Sequence, residues 1–190
     1  MKRNTIITLS IIVAIVLIFG LSTMNNYNGM VTQKEAVSAQ LRNIDTQLQR
    51  RVDLIPNLVN TVKGFAAQEK SIMADVTANR AKLAGATTVP DKANANDQLT
   101  SSLSRLLVIA ENYPDLKSDA NFRQLSDELA GTENRIAVSR LDYNNAVQTY
   151  NTTIKSFPTA ITAGIFGFKE AEYFKATSNA SVVPSVSFAQ

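Results

Sequence analysis

The chain has 190 residues, 45% of them hydrophobic, with no cysteine, no histidine and a formal net charge of +3. Such a length suits one domain of about 100–200 residues plus an accessory segment. The missing Cys and His exclude disulfides, thiolate metal sites, lipid attachment through an N-terminal Cys, and the usual forms of triad and imidazole acid–base catalysis.

From Asn4 to Gln33 no residue is charged, and Thr5–Met24 is a dense apolar run of 20 residues led by Lys2 and Arg3. At about 1.5 Å per residue it reaches ~30 Å, the thickness of a hydrocarbon core. A cleaved signal peptide typically has an apolar stretch of only about 7–15 residues before a small-x-small site. Here the run is longer and Gly20 with Ser22 makes a weak site. The reading is an uncleaved, single-pass anchor over 1–24. Lys2 and Arg3 hold its N-terminus in the cytoplasm and leave the rest on the outer, periplasmic or extracellular side. Without those two residues the chain carries 17 basic against 16 acidic side chains, or +1, which argues against a nucleic-acid surface.

Behind the anchor an apolar seam at spacings of three and four runs from Tyr27 through Met30, Val37, Leu41, Ile44, Leu48, Ile55, Leu58, Val62, Phe65, Ile72 and Val76 to Leu83. That pattern predicts a helix packed along its length on neighbours. Pro56 lacks an N–H and crowds the carbonyl of Val52. The seam keeps phase across it, so the expectation is a kinked but continuous helix from Asn25 to Leu83. Gly85 and Pro90 mark a turn over Ala84–Pro90. A second helix follows over about Asp91–Asn112, with Leu99, Leu103, Leu106 and Ala110 inward, then a turn at Tyr113–Lys117. Ser118 or Asp119 caps a third helix, about Ser118–Phe157. Phe122, Leu125, Leu129, Ile136, Tyr143, Val147, Tyr150 and Ile154 share one face of it, and Gly131 is a place for a bend. Thr159–Phe168 is apolar, Lys169–Lys175 suits a short amphipathic helix, and Thr177–Gln190 reads as a flexible tail. The fold class is all-α: one N-terminal transmembrane helix, then an antiparallel up-and-down bundle of three to four long helices over 25–176, then the tail over 177–190.

Chemistry is sparse. No P-loop or GxGxxG is present, and the carboxylates lack the His partners of di-iron bundles. Asp53, Asp75, Glu111, Glu133 and Asp142 are the acids from which a carboxylate-only groove would have to be built. No set meets the geometry of an active site, so the expectation is a non-enzyme without cofactor or metal. Polar residues Lys34, Arg51, Glu69 and Asn79 interrupt the seam. Lys34 and Glu69 are read as stems covering apolar surface with heads in water. Arg51 is expected to pair with an acid of the third helix, Glu133 or Asp142.

Arg50-Arg51-Val52-Asp53-Leu54-Ile55-Pro56-Asn57-Leu58-Val59 resembles the signature of the LemA family. So do Tyr27-Asn28-Gly29-Met30-Val31, Tyr143-Asn144-Asn145-Ala146-Val147, Tyr150-Asn151, and Phe157-Pro158 with Gly164-Ile165-Phe166-Gly167-Phe168. The resemblance extends from the anchor to about Phe174, leaving the tail beyond Thr177 outside it. It implies a bacterial single-pass membrane protein with a small antiparallel bundle, described as four-helix, and no established activity, cofactor or ligand. The three long helices above reach four only if Pro56 divides the first or the residues after Pro158 supply the last.

Asn57, Asn60, Asn144 and Asn151 are poor helix formers. They are read as a buried, satisfied network, the alternative being a recognition strip for a partner. Two functions compete. One is an envelope scaffold or adaptor that binds other membrane proteins, with homo-oligomers allowed. The other is a membrane-remodelling or lipid-contacting protein that dips Phe157–Phe168 into the bilayer interface.

Overall fold

The computed structural model describes residues 2–175, apart from the side chains of residues 2–6, 15, 16 and 19. Among the described residues the chain is helical without a strand: α1 (Lys2–Phe65), α2 (Lys70–Gly85), α3 (Val89–Ala110), α4 (Pro114–Ser118), α5 (Ala120–Lys155) and α6 (Thr159–Phe166). Thr5–Met24 lies within α1, but among the described residues no helix is long and apolar enough to cross a membrane. The expected tail, Thr177–Gln190, lies outside the described residues.

The chain divides into two compact units, Met1–Gln40 with Asn144–Ala171, and Leu41–Tyr143 with Glu172–Gln190.

In the first unit Met30 and Val37 of α1 are buried, as are Val147, Tyr150 and Ile154 of α5 and Thr162 and Ala163 of α6. These α5 positions, at spacings of three and four, put one stripe of the helix inward. α6 ends at Gly167, whose φ of +71° is the left-handed turn that glycine adopts without a Cβ penalty, and the Phe168 N–H donates back to Ala163 O at 3.0 Å. The Phe157–Pro158 peptide is cis. Beyond Gly167, residues 168–171 carry no helix, which corrects the expected amphipathic helix over Lys169–Lys175. Tyr27 packs edge-on against Phe166 and Phe168, ring centres 4.9 and 5.6 Å away.

The second unit is built on helix pairs whose registers give their directions. Asp75–Arg105 and Lys82–Gln98 run α2 against α3, while Asp45–Lys92 and Arg51–Asn96 run α1 along α3. Gln47–Arg135 and Arg50–Glu128 run α1 against α5. Within this unit α1, α2, α3 and α5 therefore alternate up, down, up, down, the arrangement that short connections favour. Ile44, Ile55, Leu58, Val76, Leu99, Leu106 and Ile136 are fully buried between them.

The fourth helix arises where the seam gave no warning. α1 passes through Pro56 uninterrupted, as expected, but it stops at Phe65, and the expected continuous helix to Leu83 is broken at residues 66–69. Gly64 weakens the last turn. Ala66 replaces Phe65 in the interior, Phe65 turning outward. Tyr113 holds the break: its hydroxyl donates to Glu69 Oε1 at 2.8 Å and accepts from Gln68 Nε2 at 2.8 Å. Thr88 caps α3, its Oγ1 accepting from the Asp91 N–H at 3.2 Å. Of the turn expected at Tyr113–Lys117, residues 114–117 form the short α4 together with Ser118, which therefore does not cap the next helix. Asp119 caps α5, taking the Phe122 N–H at 2.9 Å, and α5 continues through Gly131.

Candidate functional site

The motif around Pro56 builds a polar cluster inside the second unit. Val52, Ile55 and Leu58 face inward along α1, and Arg51, next to Val52, is carried in with them at 3% exposure. Its Nη1 lies 2.5 Å from Glu133 Oε2 of α5 and donates to Asn96 Oδ1 of α3 at 2.7 Å. Glu133 also accepts from Thr100 Oγ1 at 3.3 Å. Burial pulls the guanidinium pKa below its ordinary value, the Glu133 carboxylate opposing that shift and Asp97 adding to the opposition. Of the two expected partners the fold selects Glu133; Asp142 is exposed on α5. A cleft of about 150 Å³ adjoins the pair, lined chiefly by Leu58, Leu103, Leu107 and Leu129.

Arg80 was not singled out by the sequence reading. Pro56 has no N–H to give Val52 O, and Arg80 Nε of α2 donates to that carbonyl instead, at 2.8 Å. The orphaned carbonyl was legible in the sequence; its donor, 28 positions away, had no local signal.

The second set of motif residues holds the stretch after α6, residues 169–174. In the first unit the Asn151 amide makes both hydrogen bonds a backbone neighbour would make: Nδ2 donates to Ala171 O and Oδ1 accepts from the Ala171 N–H, each 2.9 Å. The Tyr150 hydroxyl donates to Lys169 O at 2.9 Å, and Lys155 pairs with Glu170 at 2.7 Å. In the second unit the Tyr143 hydroxyl donates to Glu172 O at 2.8 Å, and Arg140 stacks over the Phe174 ring at 5.0 Å.

The remaining candidates are scattered. Arg50 pairs with Glu128 at 2.7 Å on the surface, and Asp53 accepts from Gln49 at 2.8 Å, also outside. Asn57 and Asn60 are exposed, so they do not belong to the expected buried network; Asn144 is half-buried and Asn151 buried. Phe157 is 84% exposed, and Pro158 lies just before α6. The acids of the conceivable groove go to different partners: Asp75 to Arg105, Glu111 to Lys117, Glu133 to Arg51. Among the described residues no group of three or more His, Cys, Asp or Glu is placed to hold a metal.

One titration follows from this geometry. Burial, with the Glu172 carboxylate adding, pushes the Tyr143 hydroxyl pKa above its ordinary value of about 10. Burial does the same to Tyr150. A raised folded-state value means that the unfolded chain loses its tyrosine protons first. The contribution is whole below pH ~10 and drains away as pH climbs through the folded-state value. Urea unfolding from pH 8 to 11 is expected to show stability falling across the alkaline end, with a shallower fall for Tyr143→Phe. An equal slope in both proteins would contradict the assignment.

Comparison with known proteins agrees with the motifs. The LemA family profile matches residues 40–188. The match starts beyond Tyr27–Val31 and runs past Phe174, where the motif resemblance ended, into the stretch beyond Thr177. Two proteins of Paramagnetospirillum magneticum, Magnetosome protein MamQ 1 and MamQ 2, are each 31% identical over 186 residues, covering 84% of this chain and 68% of their own. Magnetosome protein MamQ of Magnetospirillum gryphiswaldense is 29% identical over 192 residues, covering 87% and 71%.

Proposed function

The chain belongs to the LemA family, and from that premise we propose that it is a membrane-anchored, non-catalytic scaffold or adaptor of the bacterial envelope, acting through protein–protein contacts. Thr5–Met24 is its single pass, Lys2 and Arg3 keep the N-terminus cytoplasmic, and the helical part over 25–176 works on the outer side. The observation that carries the reading is how the motif side chains are used. Arg51 with its partner Glu133, and Tyr143, Tyr150 and Asn151, are all engaged within their own units, bracing helices or residues 169–172. Their chemistry is structural.

What remains outward is suited to contact. Val138 and Leu141, one turn apart on α5, are 60% and 61% exposed. Apolar side chains at i and i+3 on one helix face are the pattern by which a helix docks in a partner's apolar groove. Confinement to a membrane raises effective concentration, so weak contacts at such a face suffice.

The test is a photo-crosslinking residue placed at Leu141 of the full chain in living cells. Site-specific adducts to membrane proteins are expected there and not at Asp127. A chain that remains monomeric and unadducted at both positions would sink the scaffold reading. A phosphatase reporter fused after Gln190, active only outside the cytoplasm, is expected to be active.

A further inference from the structure

α6 has the composition of a buried helix and the position of an exposed one. Thr162 and Ala163 face the interior of the first unit, while Ile161 and Ile165, one turn apart, face away from it at 47% and 67% exposure. Phe157 and Phe166 at its two ends are exposed as well. A helix resting on a unit with its other side in water normally turns charged and polar residues to that side. From Ser156 to Phe168 there is no charged residue at all.

The place of this helix says what covers it. Tyr27, three residues past the apolar run Thr5–Met24, packs on Phe166 and Phe168. Both segments of the unit also regain charge at the same level. On α1 the charge-free stretch ends at Lys34, and after α6 it ends at Lys169. Lys34 Nζ lies 6.0 Å from the centre of the Phe168 ring, beside that second boundary. Two stretches distant in sequence thus share one limit between a charge-free zone and a charged one, as segments crossing the same water–lipid boundary would.

We propose that α6 lies in the bilayer interface beside the exit of α1, with Phe157, Ile161 and Ile165 inserted at headgroup depth and Lys34 and Lys169 on the aqueous side. The inference rests on the reading of Thr5–Met24 as the membrane segment. Apolar side chains set a few ångströms into the headgroup region, with lysines above them, are the arrangement by which interfacial helices bind. It makes the protein's contact with lipid two-part, a spanning helix and a surface helix.

The chain contains no Trp, so single substitutions give one emitter each. Full-length chains carrying Ile12→Trp, Phe157→Trp or Val138→Trp are reconstituted in phosphatidylcholine–phosphatidylglycerol vesicles brominated either near the headgroup or near the chain end. Expected are deep-lipid quenching of I12W, about twofold quenching of F157W by the headgroup-proximal label, as for a helix at that depth, and none for V138W. If F157W is quenched no more than V138W while I12W is strongly quenched, the anchor stands and the interfacial helix is wrong. An F157W spectrum shifted to the blue but unquenched would mean that protein covers α6, and also overturns the proposal. If I12W escapes quenching too, the anchor reading falls and takes this inference with it. Ile165→Trp repeats the measurement should F157W lose its helical circular dichroism.

Discussion

Glu133→Ala is expected to destabilise the second unit by about 2 kcal/mol, and Arg51→Met by less, about 1 kcal/mol. The asymmetry comes from what each change leaves behind. Removing Glu133 strands a guanidinium that is 3% exposed between α1, α3 and α5, with Asn96 Oδ1 its remaining close acceptor. Breaking a fully buried pair in this way costs about 3–5 kcal/mol. The Glu133 side chain is itself 40% exposed, so water reaches part of the vacated space and lowers the loss. Arg51→Met removes the desolvated charge and a methionine fills a similar volume among leucines; what it leaves is a Glu133 that water can reach and a buried Asn96 Oδ1 without its donor, hence the smaller loss. Urea denaturation followed by helical circular dichroism measures both changes and their double-mutant cycle. A Glu133→Ala loss below about 0.5 kcal/mol, the range of ordinary surface substitutions, would show that the pair is an incidental contact.

Tyr150→Ala is the second large effect, about 3–5 kcal/mol by analogy with aromatic truncations in packed interiors. Tyr150 is 1% exposed, and its ring fills the first unit between α5 and the returning chain. Tyr150→Phe keeps the ring and loses only the bond to Lys169 O, a change of about 1 kcal/mol. Amide exchange separates packing from docking. The Ala171 N–H is held by Asn151 Oδ1, so its protection reports whether residues 168–171 remain seated. Tyr150→Ala is expected to abolish that protection and Tyr150→Phe to retain most of it. Retained protection in Tyr150→Ala would mean that Asn151 alone fastens the segment.

Helix faces were legible in the sequence because a period near 3.6 reports which side is buried. Ile44, Leu58, Leu99, Ile136 and Val147 are all where the spacing puts them. Arg51 was legible for the same reason, as a charge standing in an apolar row, and Glu133 was one of two acids offered. The break at residues 66–69 was not. Periodicity identifies a face and says nothing of continuity, and the seam resumes in phase at Ile72. The extended run after Gly167 was misread because Lys, Glu and Ala favour helix locally. Asn151, Tyr150 and Tyr143 provide from α5 the hydrogen bonds that a helix would have supplied itself. Asn57 and Asn60 look like Asn151 in sequence; only the neighbouring chain tells an amide with a backbone to grip from one facing water.

The bond from Arg80 to Val52 O makes the history of this protein directional. Once a proline occupies position 56, the arginine is the carbonyl's remaining suitor, and a lineage that loses the arginine first passes through a weakened ancestor. If the proline reverts first, the helix closes its own ring and position 80 becomes free to drift. Genealogies of such chains should therefore show arginine lost after proline, seldom before it.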